Sequence, residues 1–295
     1  MARALLFACL CSLATGTAQA QLNLDINRLI DTAKSIGQAS TEIDQQGEIE
    51  IGRDVAARLL GAAPLHPNAS LQRYVNEIGR WLASHTERAD LPWRFAVLDA
   101  PQVNAFATPG GYIFVTGGLV GRMRTEAELA GVLAHEIVHV LRKHHLKAIQ
   151  KGALANVASN VVALAMQDRN SALRNQLVSF GTELYVRGLD KADELEADRL
   201  GVVVAARGGY DPWGLLVVLQ TLQSINPDDS AVALMFKTHP APTERLDAIE
   251  QRMLPTLEAY ATQPQLADRF LASVGEKAVR ELRLRCIGQI GRAHV

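Results

Sequence analysis

Residues His135-Glu136-Ile137-Val138-His139 lie inside a segment in which Leu129, Val132, Leu133, Ile137, Val140 and Leu141 recur at helical spacing. A helix so patterned packs its apolar face onto a core and thereby fixes its two histidines. Four residues turn a helix by about 400°, so the two imidazoles stand about 40° apart on one face and can chelate one ion. Glu136, one residue on, projects beside that position. Zinc lowers the pKa of a bound water from 15.7 to about 7, and a neighbouring carboxylate can then take the proton as the water attacks a peptide carbonyl. The pattern therefore points to metal-assisted hydrolysis. A helix that places two histidines four apart on a solvated face is the alternative reading of the five residues alone.

A catalytic zinc of this kind takes a third protein ligand and keeps a fourth position open. Glu194 to Asp198 (ELEAD) offers carboxylates at the start of a second helix, read over Lys191 to Ala206. Glu194 and Asp198 share a face at i and i+4, and Glu196 points elsewhere. In this reading Glu194 is the third ligand, and Asp198 accepts a hydrogen bond from the far nitrogen of a ligand histidine, setting its tautomer. The competing reading is a solvated acidic helix start facing the helix dipole.

Around these helices the chain reads as α+β and mainly helical. Leu71, Val75, Ile78 and Leu82 mark an early helix, and Trp93 to Leu98 (WRFAVL) a short strand. Phe106 and Ala107, the Pro109-Gly110-Gly111 turn and Tyr112 to Thr116 (YIFVT) predict a hairpin, so a small antiparallel sheet is expected beside the histidine helix. An exposed strand there can pair with an extended peptide through main-chain hydrogen bonds, and Asn104 is the candidate for contacting substrate backbone. Thr125 with Glu128 predicts a capping box at the start of the histidine helix. Two more helices are expected, over Leu215 to Leu222 and around Glu244 to Met253, with a His239-Pro240 turn between them.

Residues 1-20 read as a signal peptide: Arg3, an apolar stretch from Leu5 through Leu13, and a small-x-small cleavage site at Ala18-Gln19-Ala20. Leu6-Phe7-Ala8-Cys9 is a poor match to a lipoprotein signal. Cleavage would leave Cys286 as the single cysteine, which excludes an intramolecular disulfide and a cysteine metal site. No segment reaches the roughly 20 uninterrupted apolar residues of a spanning helix; Ala153 to Met166 comes nearest and is read as buried or interfacial. With 30 basic against 31 acidic side chains and no dense basic run, nucleic acid is excluded as a partner. Residues 21-46 form a polar lead-in and 47-285 the catalytic domain. Residues 290-295 (IGRAHV) look like the translation of a sequencing-library adaptor and are set aside as a non-native tail.

Four ordered motifs make the chemistry more specific: N-A-F-A-x-P-G-G-Y at Asn104 to Tyr112, H-E-x-x-H at His135 to His139, E-x-E-A-D at Glu194 to Asp198, and T-H-P-x-x-x-E-R at Thr238 to Arg245. Together they resemble the HtpX-like and CAAX-prenyl-protease-like family of gluzincins over roughly Gly47 to Met253. The resemblance implies a gluzincin zinc-metallopeptidase domain holding one Zn2+ per chain, with His135, His139 and Glu194 as ligands, Glu136 as general base and Asp198 as orienting residue. A signal peptide without spanning helices is similar to the family's periplasmic branch. That similarity implies a periplasmic enzyme acting on unfolded or misassembled outer-membrane proteins, with peripheral contact to the outer membrane. It also implies that His239 occupies the fourth zinc position from a loop over the cleft, although His239 equally suits a turn before Pro240. Arg245 is assigned either to anchoring that loop or to binding substrate carboxylates.

His145 stands where a third histidine falls in H-E-x-x-H-x-x-G-x-x-H, but Arg142 replaces the glycine that would swing it back. A continued helix rotates His145 by about 240° from His139, so His144 and His145 are expected as basic side chains at a helix end. A non-cutting envelope chaperone is the rival from another class. Glu136 argues against it, since a protein that only binds has no chemical use for a carboxylate at that place.

Overall fold

The computed structural model describes residues 43–159, 187–260 and 262–275. The signal segment, residues 160–166 of the apolar stretch and the 290–295 tail lie outside them. Helix α1 (Gln45–Ala62) is capped by Asp44, whose side chain accepts from the Gly47 amide. Helix α2 (Ala69–Ser84) starts at Asn68, which accepts from the amides of Ser70 and Leu71. It buries the stripe read from the sequence, Leu71, Val75, Ile78 and Leu82, against the rest of the core. Each of those side chains contributes about 2 kcal/mol on leaving water.

Strands β1 (Arg94–Leu98), β2 (Ala105–Thr108) and β3 (Tyr112–Thr116) form one sheet in the order β1-β3-β2. The β2–β3 hairpin is antiparallel as expected, pairing Ala105 with Val115 and Thr108 with Tyr112. Gly110 and Gly111 have φ of 74° and 98°, and this left-handed backbone is what the Pro-Gly-Gly turn supplies. The expectation of a wholly antiparallel sheet is corrected by β1, which pairs parallel to β3 from Arg94↔Tyr112 to Leu98↔Thr116. Periodicity identifies a strand but not its partner. The connection over 99–104 crosses over so that β3 lies between β1 and the edge strand β2.

After the single turn α3 (Gly117–Val120) comes the central helix α4 (Glu126–Leu141), buried at every position from Glu126 to Val140. A helix buried on all sides is surrounded by other elements. Here α2, β2 and β3 pack against it on one side, α6 (Lys191–Arg207) and α7 (Gly214–Gln223) on the other. Thr125 Oγ1 accepts from the Glu128 amide, but the Glu128 carboxylate reaches back to the Arg124 amide, one residue earlier than in a standard capping box. Gly201 on α6 faces the His135 backbone; a side chain built there would meet His135 N and Cα at 3.1 Å, so glycine lets the two motif helices pack this closely. Helices α5 (His144–Ser159), α8 (Ala233–Thr238), α9 (Pro242–Glu258) and α10 (Ala267–Val274) complete the described fold. No helix among the described residues is long and apolar enough to cross a membrane.

Candidate metal centre

Helix α4 brings His135 and His139 onto one face with their Nε2 atoms 3.0 Å apart. The first turn of α6 presents Glu194 to the same point: Oε2 lies 3.6 Å from His135 Nε2, and Oε1 3.6 Å from His139 Nε2. All three side chains are buried. Ligands at 2.0–2.2 Å from a tetrahedral ion are separated by about 3.3 Å, and this triangle brackets that spacing. Two imidazole nitrogens and one carboxylate oxygen are also the donor set of a His2Glu zinc site.

The environment of Glu194 supplies an independent test of fit. Its Oε2 is buried and accepts no hydrogen bond among the described residues. Its titratable neighbours within 4 Å there are histidines, His239 among them with Nε2 at 3.7 Å. Burial pushes its carboxyl up, but the imidazoles of His239, His135 and His139 outweigh it and hold the group well below the usual carboxylate range. A buried anion with an orphaned oxygen is costly unless a cation completes it. The residues present therefore fit a divalent ion.

Asp198, one turn further along α6, plays a different part. His135 Nδ1 lies 2.9 Å from its Oδ1, which leaves His135 Nε2 free to face the Glu194 side. Arg245, from α9, donates from Nε and Nη2 to the two Asp198 oxygens at 2.8 and 2.6 Å. This fork neutralises Asp198, whereas the charged groups within 4 Å of Glu194 include no arginine or lysine among the described residues. Arg245, expected either to anchor the His239 loop or to bind substrate carboxylates, is buried against Asp198 and lines the pocket beside Glu136. Burial opposes ionisation of Asp198, yet the Arg245 charge keeps its carboxyl well below the ordinary range. For His135, burial lowers the pKa, and the neighbouring carboxylates of Asp198 and Glu194 raise it to about 9.

Glu136 lines an open pocket with Asn104, His135, His239, Leu215 and Leu222. Burial pushes its carboxyl up to about 7. Asn104 sits at the head of β2; its Oδ1 accepts from the Ala105 amide, and its backbone is locked to Thr116 across the hairpin. His239 follows α8 directly, with Nδ1 3.0 Å from Thr238 Oγ1, and its Nε2 side completes a second group with His135 and Glu136. The structure thus gathers His135, Glu136, His139, Glu194, Asp198, His239, Arg245 and Asn104 around one cleft.

His144 and His145 do not stand at the end of a continued α4. Helix α4 stops at Leu141, and Lys143 adopts φ of 56°, so the chain turns and α5 starts at His144. Both rings are buried and pack edge-on against His139, with centroids 5.1 and 5.2 Å away. Glu196 points away from His135 as expected, but it reaches His144 and Arg142. Left-handed backbone at a lysine carries no signal in sequence, and a helix continued through Arg142 was the natural extrapolation.

Residues 69–253 match the sequence profile of Peptidase family M48. Among curated proteins, the chain is 30% identical to the beta-barrel assembly-enhancing protease of Escherichia coli (strain K12) over 227 residues, 73% of this chain and 46% of that protein. It is 30% identical to the metalloprotease LoiP of the same organism over 78% of this chain and 90% of LoiP. It is also 28% identical to the mitochondrial metalloendopeptidase OMA1 of Schizosaccharomyces pombe over 60% of this chain and 52% of that protein. The chain thus spans about half the length of the first and third of these relatives. The matched stretch runs from α2 into α9 and includes both motif helices. The chain belongs to peptidase family M48.

Proposed function

We propose that the chain is a zinc-dependent endopeptidase of the bacterial envelope that cuts unfolded or misassembled polypeptides, outer-membrane proteins among them. The observation that carries the zinc reading is the buried, unsatisfied oxygen of Glu194 within reach of His135 and His139. These three residues would hold one Zn2+. When bound, zinc polarises the scissile carbonyl and acidifies water, which makes attack possible near neutral pH. Glu136, with its carboxyl raised to about 7, takes the proton from the attacking water and hands it to the departing amine. Asp198 and Arg245 keep His135 oriented. His239 closes the cleft over Glu194 and leaves when substrate enters. An extended substrate strand pairs alongside β2, with Asn104 meeting its backbone, and aliphatic side chains enter the pocket lined by Val132, Leu215 and Val218.

The envelope assignment rests on the signal-peptide pattern of residues 1-20 and on a relative described as a beta-barrel assembly-enhancing protease. A periplasmic location, with peripheral outer-membrane contact, follows from the same two observations.

Cleavage of casein and of an unfolded outer-membrane protein by the purified chain with zinc, beside Glu136→Gln and His239→Ala, tests the reading. Glu136→Gln is expected to lower turnover by about 10²–10⁴-fold, the range for general acid–base catalysis, with zinc content unchanged. His239→Ala is expected to raise turnover. If every variant binds zinc and none cuts, a client-binding role replaces the peptidase role.

A further inference from the structure

His139 and His144 face each other through Nδ1, at 3.1 Å and inside the core. Two ring nitrogens at that distance make one hydrogen bond, so one of them carries the proton and the other offers its lone pair. If His139 is a metal ligand through Nε2, its own proton sits on Nδ1. His144 Nδ1 is then the acceptor, and the His144 proton lies on Nε2. That atom is 3.1 Å from Glu196 Oε2 and 3.6 Å from Asp193 Oδ1, both acceptors. Donor and acceptor assignments run consistently from the carboxylates on α6 to the ligand nitrogen on α4.

His144 is placed there by a buried polar cluster that also holds the hairpin turn, since Glu48 accepts from the Gly110 amide. Arg88 donates to the Val140 carbonyl at the end of α4 and pairs through both outer nitrogens with the buried Glu48. Glu48 also lies 3.5 Å from Lys143 Nζ, at the left-handed residue where the chain reverses. Arg142 holds the second Glu196 oxygen at 3.3 Å. The turn that defeats a continued helix therefore delivers His144 against His139 and Glu196 against His144.

We propose that His144, held by Glu196 and Asp193, is a positioning residue that fixes His139 in the tautomer whose Nε2 faces the metal. The inference rests on the reading of His139 as a ligand. It gives the two ligand histidines different supports: Asp198 acts on His135 directly, while the carboxylates on the outer side of α6 act on His139 through an interposed imidazole.

The test is zinc affinity by competition with a chromophoric chelator, together with the melting temperature of each metal-free form. His144→Phe keeps the ring volume and removes both nitrogens. His144→Asn places a carbonyl oxygen near the lost Nδ1. The phenylalanine variant is expected to bind zinc about 10–100-fold more weakly, as outer-shell changes do, and the asparagine variant to recover most of that loss at similar metal-free stability. A phenylalanine variant with wild-type affinity, or an asparagine variant as weak as phenylalanine, overturns the proposal. Should His144→Phe fail to fold, the half-buried pair Asp193→Ala with Glu196→Ala, which removes both acceptors, carries the test: weakened zinc binding supports the relay, and unchanged binding overturns it. His139→Ala separates the two levels. If it binds zinc like the wild type, the ligand reading falls and this inference with it; if it loses zinc while His144→Phe does not, only this inference falls.

Discussion

The two ends of the central helix each carry buried carboxylate chemistry, and they are built differently. At the N-terminal end Glu126 is buried, and both oxygens are satisfied: Tyr74 and Tyr210 donate at 2.7 and 2.9 Å, and Arg269 from α10 pairs with both. Burial pushes the Glu126 carboxyl up, but the bonds from Arg269, Tyr74 and Tyr210 hold it below its ordinary range. At the C-terminal end Glu194 is equally buried, yet one oxygen has no hydrogen-bond donor among the described residues, and its neighbours are histidines. A saturated buried anion ties elements together; an unsaturated one marks a place where something else binds. Asp198 shows that the fold saturates a carboxylate beside the cleft when it needs to, since Arg245 takes both of its oxygens.

Removing Glu194 should give the largest effect on function and little on the fold. Glu194→Ala is expected to lose more zinc affinity than the roughly 100-fold that outer-shell changes reach, with cleavage undetectable. Its metal-free form should melt within a few degrees of the metal-free wild type, because relief of the buried charge offsets the lost attraction of the neighbouring imidazoles. A metal-free melting temperature many degrees lower would place Glu194 with Glu126 as a structural anion and dissolve the contrast.

Glu126→Ala should do the reverse. The change strands two tyrosine hydroxyls and a guanidinium, at about 3 kcal/mol, near the lower end for a broken buried pair because Arg269 stays half-exposed. Urea unfolding of the metal-free protein reads that loss, and zinc affinity should stay at the wild-type value.

Asp198→Asn is expected to fall between the two ends. It leaves the Arg245 charge without its counterion and weakens the hold on His135, so zinc affinity should drop about 10–100-fold in the chelator competition. A drop as large as that of Glu194→Ala would mean that Asp198 itself reaches the metal.

How far the sequence reaches follows the same division. Helices α2, α4, α6, α7 and α9 were legible because each pairs an apolar period with a cap, turn or breaker at its ends. The hairpin was legible from Pro109-Gly110-Gly111, whereas the parallel partnership of β1 was not, since pairing is decided by a crossover that leaves no periodic trace. His135 with His139, and Glu194 with Asp198, could each be placed on one face because i, i+4 spacing is a geometric statement within a helix. The meeting of the two pairs at one ion was implied by the resemblance of the four motifs. Arg245 onto Asp198, and His144 onto His139, depend on contacts between elements and on the backbone at Lys143. Glu48 and Arg88, which brace that turn, carry no motif at all.

The most direct test of the central claim is X-ray absorption at the zinc edge on the zinc-loaded chain. The expected spectrum corresponds to one zinc per chain with two imidazole nitrogens at about 2.0–2.1 Å and a carboxylate oxygen at about 2.0–2.2 Å, and a third imidazole if His239 is closed over the site. A shell of oxygens alone, or zinc bound at far less than one per chain, would contradict the assignment of His135, His139 and Glu194 as a metal centre.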